Sequence, residues 1–407
     1  MGVTLSDIND ARRQLSGVVD PTPLVHDEML SARLGVDMHL KAENLQRGGS
    51  FKIRGAYNKI SRLNDDEKAL GVITASAGNH AQGVALAARL NGIKATIVLP
   101  KTAPLTKIVA TRAQGADVIL EGGTFDEAVA FSRGLQKEHG YTYVHAFDDD
   151  LIIAGQGTIG LEIAETLRKA TVIVVPIGGG GIVSGIAIAA KELIPNVRVI
   201  GVQAENCAPV AQSLKAGKPV DISYKQTIAD GIAVKTPAER TLAIIKDKVD
   251  DIVEVSEEEI ARAIFHCAQN AHLVVEGAGA AGLAALLAGK VDLKATDTVC
   301  AVLCGGNIDG NLLARVIEQV LVRQGRYIIL KVLVPDRPGS LSGMLKIVAD
   351  EHANVVEVYH QRAIWLAPLG SVGIEMILEV RDQDHGDSVH DRLNVAGYYA
   401  ETVDQEW

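Results

Sequence analysis

Up to about residue 320 the chain repeats one pattern. Short, β-branched, apolar runs alternate with helical stretches. The runs are "GVITAS" (71–76), "KATIVLP" (94–100), "ADVILEG" (116–122), "TVIVVPIGG" (171–179), "VRVIGVQAE" (197–205) and "TVCAVLCGG" (298–306). They are mostly apolar on both faces, so they belong in a parallel sheet covered by helices on each side. Between them "NHAQGVALAARLNG" (79–92) and "PLTKIVATRAQG" (104–115) have helical periodicity, the second closing on a glycine. The alternation predicts a doubly wound α/β architecture. Forty glycines and only 4% aromatic residues suit a chain with many tight strand-to-helix turns. At 407 residues it is long enough for two or three domains.

The pattern changes near "VRQGRYIILKVLVPDRPGSL". A strand over Tyr327–Val334 follows a short polar joint at 323–326, and a helix over about 339–351 puts Leu341, Met344, Leu345 and Val348 on one face. Strands near 354–362 and 371–380, a helix near 385–396 and a strand near 398–403 complete βαββαβ, a ferredoxin-like plan. A net charge of −10 argues against a nucleic-acid or anionic-membrane surface. No apolar run has the length of a membrane span. The first fifteen residues have the period of an amphipathic helix and lack a signal peptide's apolar centre. Four scattered cysteines without a CxxC pair suggest reduced thiols, and a cytoplasmic protein is expected.

Four segments could carry chemistry. In "GGSFKIRGA" (48–56), Lys52 stands between Phe51 and Ile53, with Gly48 and Gly49 upstream. A lysine in such an apolar step either snorkels to water or has a use for a desolvated amine. In "PIGGGGIVSGIA" (176–187), Gly178, Gly179, Gly180 and Gly181 link a buried strand to a helix. That backbone can cradle a phosphate, although neither GxGxxG nor a Walker lysine is present, and a tight turn is the plain alternative. In "TASAGNHAQGVA" (74–85), the N–H groups around Ser76, Ala77, Gly78, Asn79 and His80 could hold a carboxylate, or Ser76 and Asn79 could only cap the helix. In "CGGNIDG" (304–310), Cys304 ends a strand at the edge where α/β folds bind ligands, though a lone buried thiol is usually packing.

A phosphorylated aldehyde cofactor bound to a lysine, acting on an amino acid, would use all four. These segments, with "KAENLQ" (41–46), "AGQGTIGLEI" (154–163) and "TIADGIAVK" (227–235), resemble the fold-type-II pyridoxal-phosphate enzymes, and among them the threonine dehydratases, or threonine ammonia-lyases. The tail, with "VPDRPGSL" (334–341), resembles an ACT domain. The resemblance implies a tryptophan-synthase-β-like catalytic domain over 1–322, a smaller subdomain at about 50–155 inserted in a larger one, a linker at 323–326 and a regulatory domain over 327–407. It implies pyridoxal 5'-phosphate as cofactor, joined to Lys52 as a Schiff base, with Phe51 beside the ring. Asn79 would meet the phenolic oxygen, Gly178–Gly181 the phosphate and Cys304 the pyridine nitrogen. Ser76 and the segment Ala77–His80 would hold the substrate carboxylate.

The implied reaction is dehydration and deamination of L-threonine to 2-oxobutanoate and ammonia, with L-serine a weaker substrate giving pyruvate. A thiol opposite the ring nitrogen cannot do a carboxylate's work, so that nitrogen should stay unprotonated, which favours elimination over transamination. Serine racemases of this family carry a second serine at the Ala77 position, and alanine cannot move a proton. Gly48 departs from the threonine common in relatives. The alternatives are a serine or threo-3-hydroxyaspartate dehydratase, a serine racemase, or a catalytically silent amino-acid sensor. The tail implies isoleucine or valine bound near Asp336, Pro338, Gly339, Ser340 and Leu341, and the family implies a homodimer or homotetramer.

Overall fold

The computed structural model describes residues 2–361 and 367–403. The chain packs as two units, Met1–Gly310 and Asn311–Trp407. The first contains two sheets. Strands β1 (Leu24–His26), β2 (Asp37–Lys41), β7 (Val172–Pro176), β8 (Arg198–Ala204), β9 (Asp251–Val255) and β10 (Thr298–Val302) form a six-stranded sheet ordered β1-β2-β10-β7-β8-β9. All its pairs are parallel except β1 with β2. Strands β3 (Val72–Ala75), β4 (Ala95–Leu99), β5 (Asp117–Leu120) and β6 (Thr142–Tyr143) form a separate parallel sheet ordered β5-β4-β3-β6. In sequence this small sheet interrupts the large one.

The apolar runs stand where the alternation predicts them. β3, β4, β7 and β10 are buried at every residue, as strands covered on both faces must be. β1, β2, β6 and β9 have no comparable run. β1 and β9 lie at sheet edges, where polar residues are tolerated, and β6 has only two residues.

Three helices set the site's framework: Lys52–Ile60, Asp150–Thr166 and Gly181–Leu193. They approach closely because glycines face each other. A Cβ on Gly155 would sit 2.6 Å from the Cα of Gly55, and one on Gly185 2.5 Å from the amide nitrogen of Gly157. The "AGQGTIG" string is therefore a packing surface. It fixes the lysine-bearing helix relative to the helix that follows the glycine run.

A buried ion network fastens the same helix to β2. Arg54 grips Glu43 with two hydrogen bonds of 2.8 Å and reaches Glu162 at 2.5 Å and Thr158 at 3.1 Å. Lys41 completes it with bonds to Glu162 (2.6 Å) and the Thr22 carbonyl (2.7 Å). Arg54, Lys41 and Glu43 are all at most 1% exposed. Two cations and two anions balance, and removing one leaves a buried charge unpaired. Arg54→Ala should therefore cost about 3–5 kcal/mol of stability. Urea unfolding followed by circular dichroism checks this, and an unchanged midpoint contradicts it.

The second unit carries β11 (Tyr327–Pro335), β12 (Asn354–Gln361), β13 (Ser371–Glu379) and β14 (Tyr399–Thr402), antiparallel and ordered β12-β13-β11-β14. Helices Ser340–Asp350 and Gln383–Val395 complete the predicted βαββαβ. Met344 and Val348 are buried, as is each second residue of β13. Residue 362, the expected end of β12, lies outside the described residues, as does the tail at 404–407.

Candidate active site

The segments around Lys52 and Cys304 run side by side. Ser50 bridges Gly305 in antiparallel fashion, the Phe51 N–H donates to the Cys304 carbonyl (3.3 Å), and the Gly306 N–H donates to the Gly49 carbonyl (2.9 Å). This turn needs its glycines. Gly48 and Gly49 have φ of 78° and 72°, and a Cβ on Gly49 would meet Asn307 Oδ1 at 2.3 Å. A Cβ on Gly48 has room, with Leu86 3.6 Å away, but its left-handed backbone is hostile to a β-branched residue. The departure from threonine thus comes with a backbone that threonine would strain, and is more than the loss of a hydroxyl.

Lys52 opens its helix, with buried Phe51 at the N-cap and the Phe51 ring centroid 5.0 Å from Nζ. The lysine keeps partial access to solvent, and among the described residues no carboxylate forms an ion pair with it. Desolvation lowers its pKa from 10.5 to about 8, against the opposing pull of Cys304 and Glu276. Cys304 is buried, its thiol 3.5 Å from the Ala278 carbonyl. Burial pushes its pKa well above the ordinary thiol value, so it stays protonated.

Asn79 does not cap its helix. Gly78 holds the N-cap position without a side-chain bond, and Ser76 Oγ accepts from the Gly78 N–H at 3.2 Å. The Asn79 amide instead belongs to a chain of contacts whose polarity is fixed at one end. The Gly48 carbonyl can only accept, and it takes a hydrogen bond from Asn307 Nδ2 at 2.8 Å. The same Nδ2 donates to Asn79 Oδ1 at 2.7 Å. Asn79 Nδ2 is thereby turned to Glu276, donating to Oε1 at 2.5 Å, and keeps one N–H for another partner. Glu276 is buried, and desolvation, aided by Asp230, raises its pKa from 4.5 to about 7. A Cβ on Gly305 would strike Glu276 Oε1 at 2.3 Å, so that glycine makes room for the carboxyl.

His80 is buried, with Nε2 2.9 Å from the Val144 carbonyl. Desolvation, with Lys52 nearby, lowers its pKa to about 3 and keeps the ring neutral. It is a packed helix residue whose side chain is already engaged. Ala77 is partly buried against the core of the small sheet.

Gly178–Gly181 join β7 to the helix Gly181–Leu193, which starts without a side-chain cap. Packing alone demands much of this glycine run. A Cβ on Gly179 would lie 2.2 Å from the Phe147 ring, and one on Gly180, at φ 92°, 2.9 Å from Thr241. Thr241 Oγ1 also donates to the Gly179 carbonyl at 2.7 Å. What suits the loop to an anion is the uncapped helix start, whose first N–H groups lack helical acceptors. Ser184 Oγ, one turn into that helix, is buried with no hydrogen-bond partner among the described residues, as a group reserved for a ligand would be.

The sequence reading missed Glu276, although the carboxylate stands alone in "VVEGAGAAGLAALL", a signal that could have exposed it. It also left Asn307, Phe147 and Thr241 without roles.

A family profile described as "pyridoxal-phosphate dependent enzyme" matches residues 15–305. The chain belongs to this family. Its cofactor is pyridoxal 5'-phosphate, and the lysine amine, the uncapped glycine loop and the oriented Asn79 are groups that could hold it. An L-threonine ammonia-lyase of Thermotoga maritima is 49% identical over 401 residues, covering 98% of this chain and all of the relative. Among solved structures, a processed threonine deaminase isoform 2 from Solanum lycopersicum is 38% identical with a TM-score of 0.74, covering 79% of this chain and 91% of the other. Maize serine racemase is 34% identical with the same TM-score of 0.74, covering 79% and 99%.

In the second unit, Gly339, at φ 93°, is the N-cap of the helix Ser340–Asp350. A recess of about 260 Å³ lies beside it, lined by Asp336, Pro338, Ser340 and Leu341 together with His360 and Val372. Four of the five residues singled out in the sequence for an effector thus share one recess.

Proposed function

We propose that this chain is an L-threonine ammonia-lyase, converting L-threonine to 2-oxobutanoate and ammonia, with L-serine a weaker substrate. The observation that carries the reading is that the proton machinery is one-sided. Lys52 is a desolvated amine with its pKa lowered toward neutrality. In the segment facing the substrate carboxylate, Ala77 has no ionisable group and His80 is neutral and bonded to Val144. Racemisation needs an acid or base on each face of Cα, whereas elimination needs only one.

Pyridoxal phosphate, when bound, supplies an aldehyde for the substrate's amine and an electron-withdrawing ring that acidifies the Cα proton. Lys52 takes that proton as general base. Asn79, turned by Asn307 and Glu276, would offer its remaining N–H to the cofactor's phenolic oxygen. The N–H groups at Gly78–His80, with Ser76, hold the substrate carboxylate at a helix N-terminus. The glycine loop would hold the phosphate. Cys304, a neutral thiol, would stand by the ring nitrogen without giving it a proton. A pocket that prefers the γ-methyl of threonine gains only about 1–3 kcal/mol over serine, so both substrates should turn over. Release of 2-oxobutanoate and ammonia in equal amounts from L-threonine tests the reading, and D-allothreonine, the product of inversion at Cα alone, as the main product would overturn it.

The recess beside Ser340 supports regulation by a small apolar amino acid, isoleucine or valine, whose carboxylate would meet the N–H groups at the helix start. Titrating isoleucine into the full-length enzyme should change the threonine concentration at half-maximal rate. Gly339→Ala, forced into a left-handed backbone, should blunt that response. A rate indifferent to isoleucine and valine contradicts it. A cytoplasmic homodimer or homotetramer, with catalytic residues 1–322 and a regulatory domain from 327, completes the proposal.

A further inference from the structure

Far from the catalytic lysine, His26, Asp37 and His39 converge on the surface of the six-stranded sheet. The convergence is built by sheet geometry. Asp37 and His39 are two residues apart on β2 and so share a face, and His26 lies directly opposite His39 in the antiparallel pair. Both imidazoles turn Nε2 toward one carboxylate oxygen, Asp37 Oδ1, at 2.9 Å from His39 and 3.4 Å from His26. All three donor atoms lie within 4.8 Å of one another.

We infer that these three side chains form a binding site for a borderline transition-metal dication, Zn²⁺ by preference. With metal–ligand bonds of about 2.0–2.1 Å, two donors of a tetrahedral site stand roughly 3.3 Å apart, close to the two imidazole–carboxylate spacings here. Two imidazoles and one carboxylate favour such an ion over Mg²⁺ or Ca²⁺, which prefer oxygen ligands. The second carboxylate oxygen is held from behind. Asp37 Oδ2 lies 3.2 Å from Lys169 Nζ and accepts from Thr298 Oγ1 at 3.3 Å, which aims Oδ1 at the imidazoles. Lys169 is mostly exposed and can yield when a dication arrives. His26 is half exposed, so an ion has a path in and a water can take the fourth position.

The site would clamp β1, a three-residue edge strand, to β2. It is remote from the chemistry. Asp37 pairs with Thr298 at the start of β10, whereas Cys304 lies past its other end, about 20 Å along the strand. Occupancy should therefore stabilise the enzyme with little change in basal turnover.

The test uses chelator-treated holoenzyme titrated with Zn²⁺ against a competing chromophoric chelator. One Zn²⁺ per chain is expected, weakened about tenfold or more by His39→Gln or His26→Gln. Zn²⁺ should raise the melting temperature of the wild type and not of the variants. Absence of binding, or variants that bind like the wild type, overturns the assignment. Should a variant fail to fold, Co²⁺ added to the wild type decides. Strong d–d bands of tetrahedral coordination uphold the site, and the weak spectrum of aqueous Co²⁺ overturns it.

Discussion

Lys52→Ala should abolish 2-oxobutanoate formation from L-threonine, with a loss of at least about 10³-fold in kcat, and should change the visible absorption of the bound cofactor. Both effects follow from the two duties proposed for this residue, covalent anchor and base. The fold should survive. The lysine forms no ion pair among the described residues, and its helix is held instead by Arg54 and by the Gly55–Gly155 contact. Far-ultraviolet circular dichroism should therefore match the wild type. Persistent 2-oxobutanoate formation with an unchanged visible band would show that another amine carries the chemistry. The silent-sensor alternative predicts instead that the wild type itself is inactive.

Glu276→Gln should give the second large effect, a shift of the pH–rate profile to lower pH. The carboxyl ionises near pH 7, and its negative charge beside Lys52 favours the ammonium form, raising that pKa. Glutamine keeps an acceptor for Asn79 but removes the charge. The activity limb near pH 7 should disappear, the limb due to Lys52 should move to lower pH, and kcat/KM should fall about 10- to 100-fold. Stability should respond as well. The folded pKa of about 7 lies above the ordinary 4.5, so the favourable contribution is complete below 4.5 and is lost as pH rises through 7. Glu276→Gln removes this slope. A pH–rate profile superimposable on that of the wild type would mean that Glu276 neither titrates at the site nor orients Asn79. Loss of activity with both limbs in place would reduce it to packing.

The parts of the fold legible in the sequence were those with a period. β3, β4, β7 and β10 are apolar on both faces because helices cover both, and that burial is written in every residue. β1 and β9 escaped because an edge tolerates charge, as "DIVEV" in β9 illustrates. The candidate site was legible wherever backbone demanded glycine or a lysine stood among apolar neighbours. Its wiring was not. Asn307 and Asn79 are 228 residues apart, and Asn79 and Glu276 are 197 apart. No local pattern announces a bond that exists only after two sheets have been brought together. Three of the four glycines also have a plainer cause than phosphate, since Phe147 crowds Gly179 and Gly181 and Thr241 crowds Gly180.

The central claim is that this site eliminates water from a β-hydroxy amino acid and is best matched to threonine. Its most direct test is the ratio of kcat/KM values for L-threonine, L-serine and threo-3-hydroxyaspartate, measured side by side on the full-length holoenzyme. The account predicts L-threonine first and L-serine about 10- to 200-fold behind, as expected for one methyl in an apolar pocket. A higher value for either of the other two would contradict it.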